Sequence, residues 1–435
     1  MNKYTNKTSA DTFCISFAAL ISVLFVNPGN VFAGPNAPAA ECCQYDRVLK
    51  TSFKDMQYTA SLGIEGEAAS IFNGHRKAGG NETSIGDLYI NLIGDLEYNR
   101  GNFRLGVELD WVPEDTVLNF GDPDEINKHN QHRMRADGYM NRPDVLTHIY
   151  CNWRSENHYA GIRFGAMKFA GLDPIEGSPA DYYAARLSPL ELSQHYDKGI
   201  LLEYAYKSET HGPVFNVNFG VIDGDWRMGE ASVFSYHDSR ANGYPGYTLT
   251  WDVYLTSLLD KSAREKFGAV KFSGSFMHND IGSNGGQKIR LEHEMYALSY
   301  TTPSFSDMRL EIRGFLGNFE QGDTWGSPLE ETRAWGLEAA LRNISLGDAG
   351  SLTLYAGYSK MELDSGEAAG LIWLTNNTTS EKQVQFGAKW NEPFGVPHLC
   401  PFVSITLRDM DGLDDWWTMD KSHEHIYMVG VKYRF

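Results

Sequence analysis

The chain has 435 residues, and its 38 Lys and Arg against 56 Asp and Glu give a formal net charge of −18. This acidic balance excludes a general nucleic-acid binder, which needs a basic surface for phosphates. Aromatic residues make up 13% of the chain and glycines number 43, while the mean hydropathy of −0.39 is too polar for a protein of membrane helices. A β-barrel, in which only alternate residues meet lipid, and a secreted array of β-sandwiches both fit this composition.

Residues 1–33 have the features of a secretory signal peptide. Two lysines supply the positive start, an apolar run covers residues 13–26, and small residues precede a cleavage site at Ala33. The run is too short and too interrupted by serine to span a bilayer, and no later stretch approaches about twenty consecutive apolar residues. We therefore expect an exported protein without a membrane helix, whose mature chain begins with a periplasmic leader over residues 34–52.

Alternation of apolar and polar residues begins at Gln57 and recurs along the chain. Over residues 57–65 the apolar side chains share one face of a strand and the polar side chains share the other, as expected between lipid and water. The same pattern predicts about sixteen strands. They lie near residues 57–65, 87–98, 103–111, 145–153, 158–168, 198–207, 213–222, 247–256, 267–277, 289–300, 307–316, 333–342, 351–360, 383–390, 399–408 and 424–435.

Connection lengths separate a barrel from a sandwich. Short turns such as 154–157 and 208–212 alternate with long connections such as 169–197 and 223–246. A sandwich has no reason to alternate loop length so regularly, whereas outer-membrane barrels have short turns on one side and long loops on the other. We therefore predict an all-β fold, a transmembrane antiparallel β-barrel over residues 53–435, with short periplasmic turns and eight longer extracellular connections.

The last strand, HIYMVGVKYRF, places aromatic and branched side chains on one face and basic side chains on the other. With Gly430, Tyr433 and the terminal Phe435, it resembles the carboxy-terminal assembly signal of Gram-negative outer-membrane barrels. We expect this strand to close the barrel by pairing with the first strand near residues 58–64.

If the apolar faces meet lipid, the opposite faces line a lumen. Acidic residues dominate the lumen face of the early strands and basic residues that of the later strands, offset by Glu292, Glu294, Glu311 and Glu338, so opposite charges gather on different arcs of the wall and set a field across the bore. The predicted pore-lining residues are Glu65, Asp87, Asp95, Arg104, Glu108, Asp110, Arg163, Glu203, Lys271, Arg290, Arg309, Arg313, Arg342, Lys389, Arg408, Lys432 and Arg434. Simple charge pairing between strand neighbours is the alternative.

The mature chain resembles the sixteen-stranded Gram-negative outer-membrane porins in strand count, in turn alternation and in its YMVGVKYRF ending. The stretches GIRFGAMKFAGLDPIEG and FGVIDGDW are similar to those of substrate-selective porins. The resemblance implies that the third outer loop, residues 169–197 with Asp173, Glu176 and Asp181, folds into the bore and narrows it, although the PEFGG motif of such loops is missing. It also implies an outer-membrane location, a homotrimer, and contacts with lipid, lipopolysaccharide and the barrel-assembly machinery.

Metal, cofactor and catalytic sites find little support in the sequence. The four cysteines of the mature chain do not have the spacing of a zinc site, and their three possible disulfide pairings stay open. An aspartate-rich stretch over residues 409–415 misses the calcium-loop spacing, and His129 and His132 near Asp124 form no motif. We predict no cofactor, no metal and, without a catalytic motif, no enzymatic activity. The cysteines are Cys42, Cys43, Cys151 and Cys400.

These features predict a water-filled channel for passive diffusion of small hydrophilic solutes. Acidic outer connections raise the local concentration of cations and favour a mild cation preference. Two alternatives keep the barrel: a non-conducting barrel whose long loops bind a partner or a surface, and an outer-membrane hydrolase.

Overall fold

The computed structural model describes most of the predicted strands and turns. The predicted signal peptide, residues 1–33, lies outside the described residues, as do residues 34–48 of the leader. The described residues are 49–53, 56–73, 87–111, 145–173, 175, 187, 189–190, 193–208, 212–222, 245–259, 261–284, 287–321, 330–363, 378–412 and 422–434.

One antiparallel sheet contains the seventeen strands of the described residues. The predicted all-β class is confirmed, and each predicted strand has a counterpart in the sheet. The strands are β1 Leu49–Phe53, β2 Met56–Asn73, β3 Asp87–Arg100, β4 Phe103–Trp111, β5 Val145–Arg154, β6 His158–Ala170, β7 His195–Ser208, β8 Gly212–Ile222, β9 Gly246–Tyr254, β10 Ala269–Asn284, β11 Gln287–Thr301, β12 Arg309–Gln321, β13 Glu330–Ser345, β14 Ser351–Leu363, β15 Thr378–Asn391, β16 Leu399–Gly412 and β17 Ser422–Arg434.

Strands that follow each other in the chain are neighbours in the sheet. Every consecutive pair from β2 to β17 is antiparallel, including β9 with β10, and β17 pairs with β2. Each strand from β2 to β17 therefore has a partner on both sides. Such an arrangement satisfies the backbone hydrogen bonds that an open sheet leaves exposed at its edges.

The last strand meets β2 further along than the sequence predicts. Arg434 pairs with Glu65 and Ile426 with Asn73, so the expected pairing with residues 58–64 is wrong. Barrel strands tilt, and closure requires an offset in register that no single strand encodes. The edge of β2 that β17 leaves free is taken by β1, whose Leu49 pairs with Ala60, and the predicted leader thus ends in a strand.

The connections alternate in length with two exceptions. Where β3 turns into β4, only Gly101 and Asn102 intervene, and Gly101 has the positive φ of 57° that such a tight hairpin requires. On the opposite end of the sheet, residues 285–286 alone connect β10 to β11, so the prediction of eight longer connections there is wrong. On the short-turn end, the connection from β9 to β10 instead contains helix α1, Lys261–Phe267.

The two faces of the sheet differ in chemistry. The outer face exposes large apolar side chains, among them Leu96, Phe164, Leu298, Leu316 and Leu337. The inner face carries most of the buried polar and charged side chains. Within the described parts of the chain, no helix has the length and apolar character needed to cross a membrane.

Candidate functional site

The connection between β6 and β7 folds against the inner wall of the sheet. We call residues 171–194 the inner segment, of which 171–173, 175, 187, 189–190 and 193–194 are described. Three of its leucines form one buried apolar cluster with inner-face side chains of β11 and β12. The cluster consists of Leu172, Leu187, Leu190, Met295, Ala297 and Phe315, with Phe319 packed against it.

A second apolar contact extends the inner segment across β13 and β14. Ile175 packs with Ala340 of β13 and Tyr355 of β14. Gly357, which follows Tyr355 on the inner face, leaves room for the segment, because a Cβ atom there would lie 3.1 Å from Leu187 Cδ1. The described residues of the segment therefore contact the inner face of four neighbouring strands, β11 to β14.

Hydrogen bonds fix both ends of the inner segment. At its start, the Gly171 N–H donates to Ser275 Oγ of β10 at 2.8 Å, and the same oxygen lies 3.1 Å from Nε2 of the buried His293. At its end, Gln194 Nε2 donates to the Leu172 carbonyl at 2.8 Å and to the Leu190 carbonyl at 3.2 Å. The two ends of the segment are thus joined to each other and to the wall.

A buried ion pair lies beneath the inner segment. Arg313 Nε donates to Glu338 Oε2 at 2.7 Å, and Tyr355 Oη donates to Glu338 Oε1 at 2.7 Å. Arg313 Nη1 donates to the carbonyl oxygen of Asp173 in the segment. The side chain of Asp173 itself is 83% exposed, with its Oδ1 2.7 Å from Lys168 Nζ. Wall and segment are therefore connected through one guanidinium group.

Carboxylates and a phenol cluster on the inner face of β3 to β5. The Tyr150 hydroxyl lies 3.0 Å from Asp95 Oδ1 and 3.0 Å from Glu97 Oε2, and its single proton donates to one of them at a time. Glu97 also accepts from Asn99 Nδ2 at 2.8 Å and lies 3.5 Å from Arg104 Nη1. Polar groups at this wall are thus held by charge-assisted hydrogen bonds.

The neighbouring inner face of β4 to β7 carries a second charged network. Arg163 Nε donates to Glu203 Oε2 at 3.0 Å, and Tyr159 Oη donates to the same oxygen at 2.7 Å. Arg163 Nη1 lies 2.9 Å from His148 Nε2 and 3.9 Å from Glu108 Oε2. The Glu108 side chain is 42% exposed, which makes it accessible to solutes on the inner side.

Charges of opposite sign predominate on two arcs of the inner face. Among the described side chains, six carboxylates and four cations lie on β3 to β9, and three carboxylates and seven cations lie on β10 to β17. We call these the acidic arc and the basic arc. The acidic arc has Asp95, Glu97, Glu108, Asp197, Glu203 and Asp252 with Arg104, Arg154, Arg163 and Lys207, and the basic arc has Lys271, Arg309, Arg313, Arg342, Lys389, Arg408 and Lys432 with Glu311, Glu338 and Glu381.

Two predicted lumen carboxylates lie on the wrong face. Glu292 and Glu294 share the outer face of β11 with Tyr296 and Leu298. The face assignment failed because the inner face of this strand is apolar where Met295 and the inner segment pack together. An apolar face therefore indicates lipid only where no loop covers the wall from inside.

The remaining predicted residues divide into three groups. Arg313, Lys389 and Arg408 are on the inner face but buried, so they do not line the surface that a solute would contact. Gly430 and Tyr433 of the predicted assembly signal lie in β17, on opposite faces. The side chains or residues outside the described part of the chain are Glu65, Asp87, Asp110, Glu176, Asp181, Arg290, Arg434 and Phe435.

Several inner-face residues with clear contacts were not predicted. His148, Tyr150 and Asn152 alternate with Thr147, Ile149 and Cys151, and this alternation was the available signal for their position on the inner face. The contacts of Gln194 with the inner segment had no such signal, because they depend on how the loop folds back.

Comparison with known proteins finds similarity at the level of the fold. No protein-family model and no curated protein matches the chain. Among solved structures, the anion-selective porin from Comamonas acidovorans superposes with a TM-score of 0.50 at 11% identity, covering 87% of this chain and 100% of the porin. The fold is that of a porin-like β-barrel.

Two further structures with the porin-like fold superpose less well. The outer membrane channel DcaP of Acinetobacter baumannii has a TM-score of 0.47 at 13% identity, with 88% of this chain and 99% of DcaP covered. OmpF of Salmonella typhi, solved in complex with daunomycin, has a TM-score of 0.47 at 12% identity, with 89% and 100% covered.

Proposed function

We propose that the chain forms a water-filled channel in the outer membrane for passive diffusion of small hydrophilic solutes, without catalysis. The observation that carries the proposal is the inner segment, whose apolar side chains pack on the inner wall formed by β11 to β14. A loop folded against that wall narrows the bore, and the charged wall on the other side of the bore faces the loop. Such a passage admits solutes that exchange hydration for polar contacts and excludes apolar ones.

The location in an outer membrane is supported by the outer face. Its large apolar side chains are exposed although they belong to well-paired strands, as expected for a surface that lipid covers. A soluble protein rarely exposes so large an apolar surface. The homotrimer, the lipopolysaccharide contact and the use of the assembly machinery stay predictions, which cross-linking and assembly in intact cells would test.

We further propose a mild cation preference. Several cations of the basic arc are buried, including Arg313 beneath the inner segment, and Arg313 is neutralised by Glu338. Two acids that face away from the buried pair stay accessible, since Glu108 is 42% and Asp173 is 83% exposed, and Arg154 and Arg309 are exposed cations. Exposed charge acts on permeating ions more strongly than buried charge, and we expect the effect of Glu108 and Asp173 to exceed that of the two arginines.

Planar-bilayer recording with the purified, folded protein tests these proposals. Stable ohmic current steps at neutral pH are expected, and in a KCl gradient the reversal potential has the sign of cation preference. Liposome swelling with uncharged sugars checks diffusion of hydrophilic solutes. Absence of current from folded protein contradicts the channel function and favours the alternative in which the loops bind a partner or a surface. Cleavage of lipid or peptide by the same sample favours the hydrolase. An anion preference would mean that the basic arc governs selectivity.

A further inference from the structure

We propose that Arg313 is a positioning residue that holds the inner segment in place and thereby sets the width of the channel. The proposal rests on the channel function proposed above. Arg313 belongs to the basic arc, but it is only 4% exposed and makes its contacts within the protein. Its role is therefore to hold other groups in place, and not to attract ions in the bore.

The donors of Arg313 point in two directions. Nε and Nη2 both donate to Glu338 Oε2 on the neighbouring strand β13, the first of these at 2.7 Å. Nη1 donates to the backbone carbonyl of Asp173. One side of the planar group is therefore bound to the wall and the other to the segment, so the position of the wall fixes that of the carbonyl.

The carboxylate that orients Arg313 is itself held. Glu338 is 1% exposed, and its second oxygen accepts from Tyr355 Oη at 2.7 Å. Because both carboxylate oxygens are engaged, the guanidinium plane has one favourable orientation. A lysine at this position has no planar fork and could not donate in two fixed directions to the same degree. The geometry thus uses a property that is particular to arginine.

The tether joins the Asp173 backbone to the far wall, whereas the Asp173 side chain is paired with Lys168 of β6. The bonds of Gly171 and Gln194 hold the two ends of the segment, whereas Asp173 lies where the segment departs from β6 towards the far strands. Two residues later, Ile175 packs against the same Tyr355 that binds Glu338. Loss of the Arg313 bond therefore releases the first turn of the segment and weakens the contact that follows it.

The test compares Arg313→Met with Arg342→Met. Arg342 forms a shielded ion pair with Glu311 between the same two strands, β12 and β13, and so provides a matched loss of one paired cation. Single-channel current and hydrogen exchange of the segment amides, including Gly171, are measured on both variants. For Arg313→Met we expect a noisier current of changed conductance and exchange faster by about tenfold or more, the sign of local opening. Arg342→Met also removes a charge from the inner wall and so changes the current level, but it keeps the wild-type exchange of the segment amides and adds no current noise.

Further variants separate positioning from general stabilisation. Arg313→Lys is expected to restore part of the wild-type current, and Tyr355→Phe to produce a weaker form of the Arg313→Met change with unaltered thermal stability. If Arg313→Met does not fold, Tyr355→Phe supplies the same test. Unchanged current and exchange in the Arg313 or Tyr355 variants, or equally faster exchange of the segment amides in Arg342→Met, overturn the proposal. If the wild-type protein conducts no current in bilayers, the proposed channel function is wrong. Hydrogen exchange of the segment amides would still test whether Arg313 holds the inner segment.

Discussion

Truncation of Leu187 is expected to undock the inner segment without unfolding the barrel. Leu187 is 1% exposed and belongs to the apolar cluster that joins the segment to β11 and β12. Truncating a buried leucine to alanine costs about 2–5 kcal/mol, because the lost transfer energy is increased by the cavity that remains. The strands keep their backbone pairing, so this cost falls mainly on the docking of the segment.

The magnitude predicts a visible effect on the current. Since about 1.4 kcal/mol corresponds to a factor of ten, the ratio of docked to undocked segment falls by about 30-fold to about 4000-fold in Leu187→Ala. Even a segment docked by several kcal/mol then spends a measurable fraction of time away from the wall. The open-channel current is expected to fluctuate between the wild-type level and additional levels in planar-bilayer recordings.

Leu337→Ala provides the control for Leu187→Ala. Leu337 allows the same leucine-to-alanine substitution on the outer face of β13, where this residue is 52% exposed and lies away from the inner segment. Its truncation is expected to leave the current unchanged. A steady wild-type conductance in Leu187→Ala, at native fold as judged by the mobility shift on heating, would refute the argument that apolar packing holds the segment.

Three further predictions concern other parts of the molecule. Glu108→Gln is expected to shift the reversal potential in a KCl gradient towards lower cation preference, whereas Glu392→Gln in a short turn leaves it in place; equal shifts would point to a general surface-charge effect. Leu298→Arg on the outer face is expected to lower the free energy of unfolding in lipid by about 2–4 kcal/mol, and Glu294→Arg, which replaces a side chain that is already charged, by about 0–1 kcal/mol. Similar losses in chemical denaturation would argue against a lipid-facing band. Deletion of β1 removes five paired residues from the edge of β2 and is expected to lower the melting temperature while β17 stays paired; an unchanged melting temperature would show that β1 adds no stability.

The alternation of residues predicted most of the fold. Strands of about ten residues with one apolar face are a local property, and the match over β5, β6 and β8 is within two residues at each end. The offset of β17 against β2 could not be predicted in this way, because it arises from the tilt of the whole ring of strands. The short connection of β10 to β11 was missed because both strands continue beyond their clearly alternating parts.

The site was harder to predict, for a physical reason that β11 illustrates. Its inner face contains Met295 and Ala297, which pack with the inner segment, and its outer face carries Glu292 and Glu294 beside Tyr296 and Leu298. A rule that assigns apolar faces to lipid inverts such a strand. The missing information was in the sequence of the loop itself. Apolar residues such as Leu172 are not expected in a connection that contacts only water.

Burial changes what a charge on the inner wall can do. Arg313 was expected to contribute to a field across the bore, but its pairing with Glu338 leaves little net charge at that point, and the inner segment covers the pair. The opposite wall keeps Glu108 exposed, and the segment adds Asp173 on its own surface. In the proposed channel, loop folding and selectivity are therefore linked, because the contact that would narrow the passage also covers a cation of its wall. A variant that frees the segment should consequently change conductance and ion preference together, whereas a variant of an exposed acid should change ion preference alone.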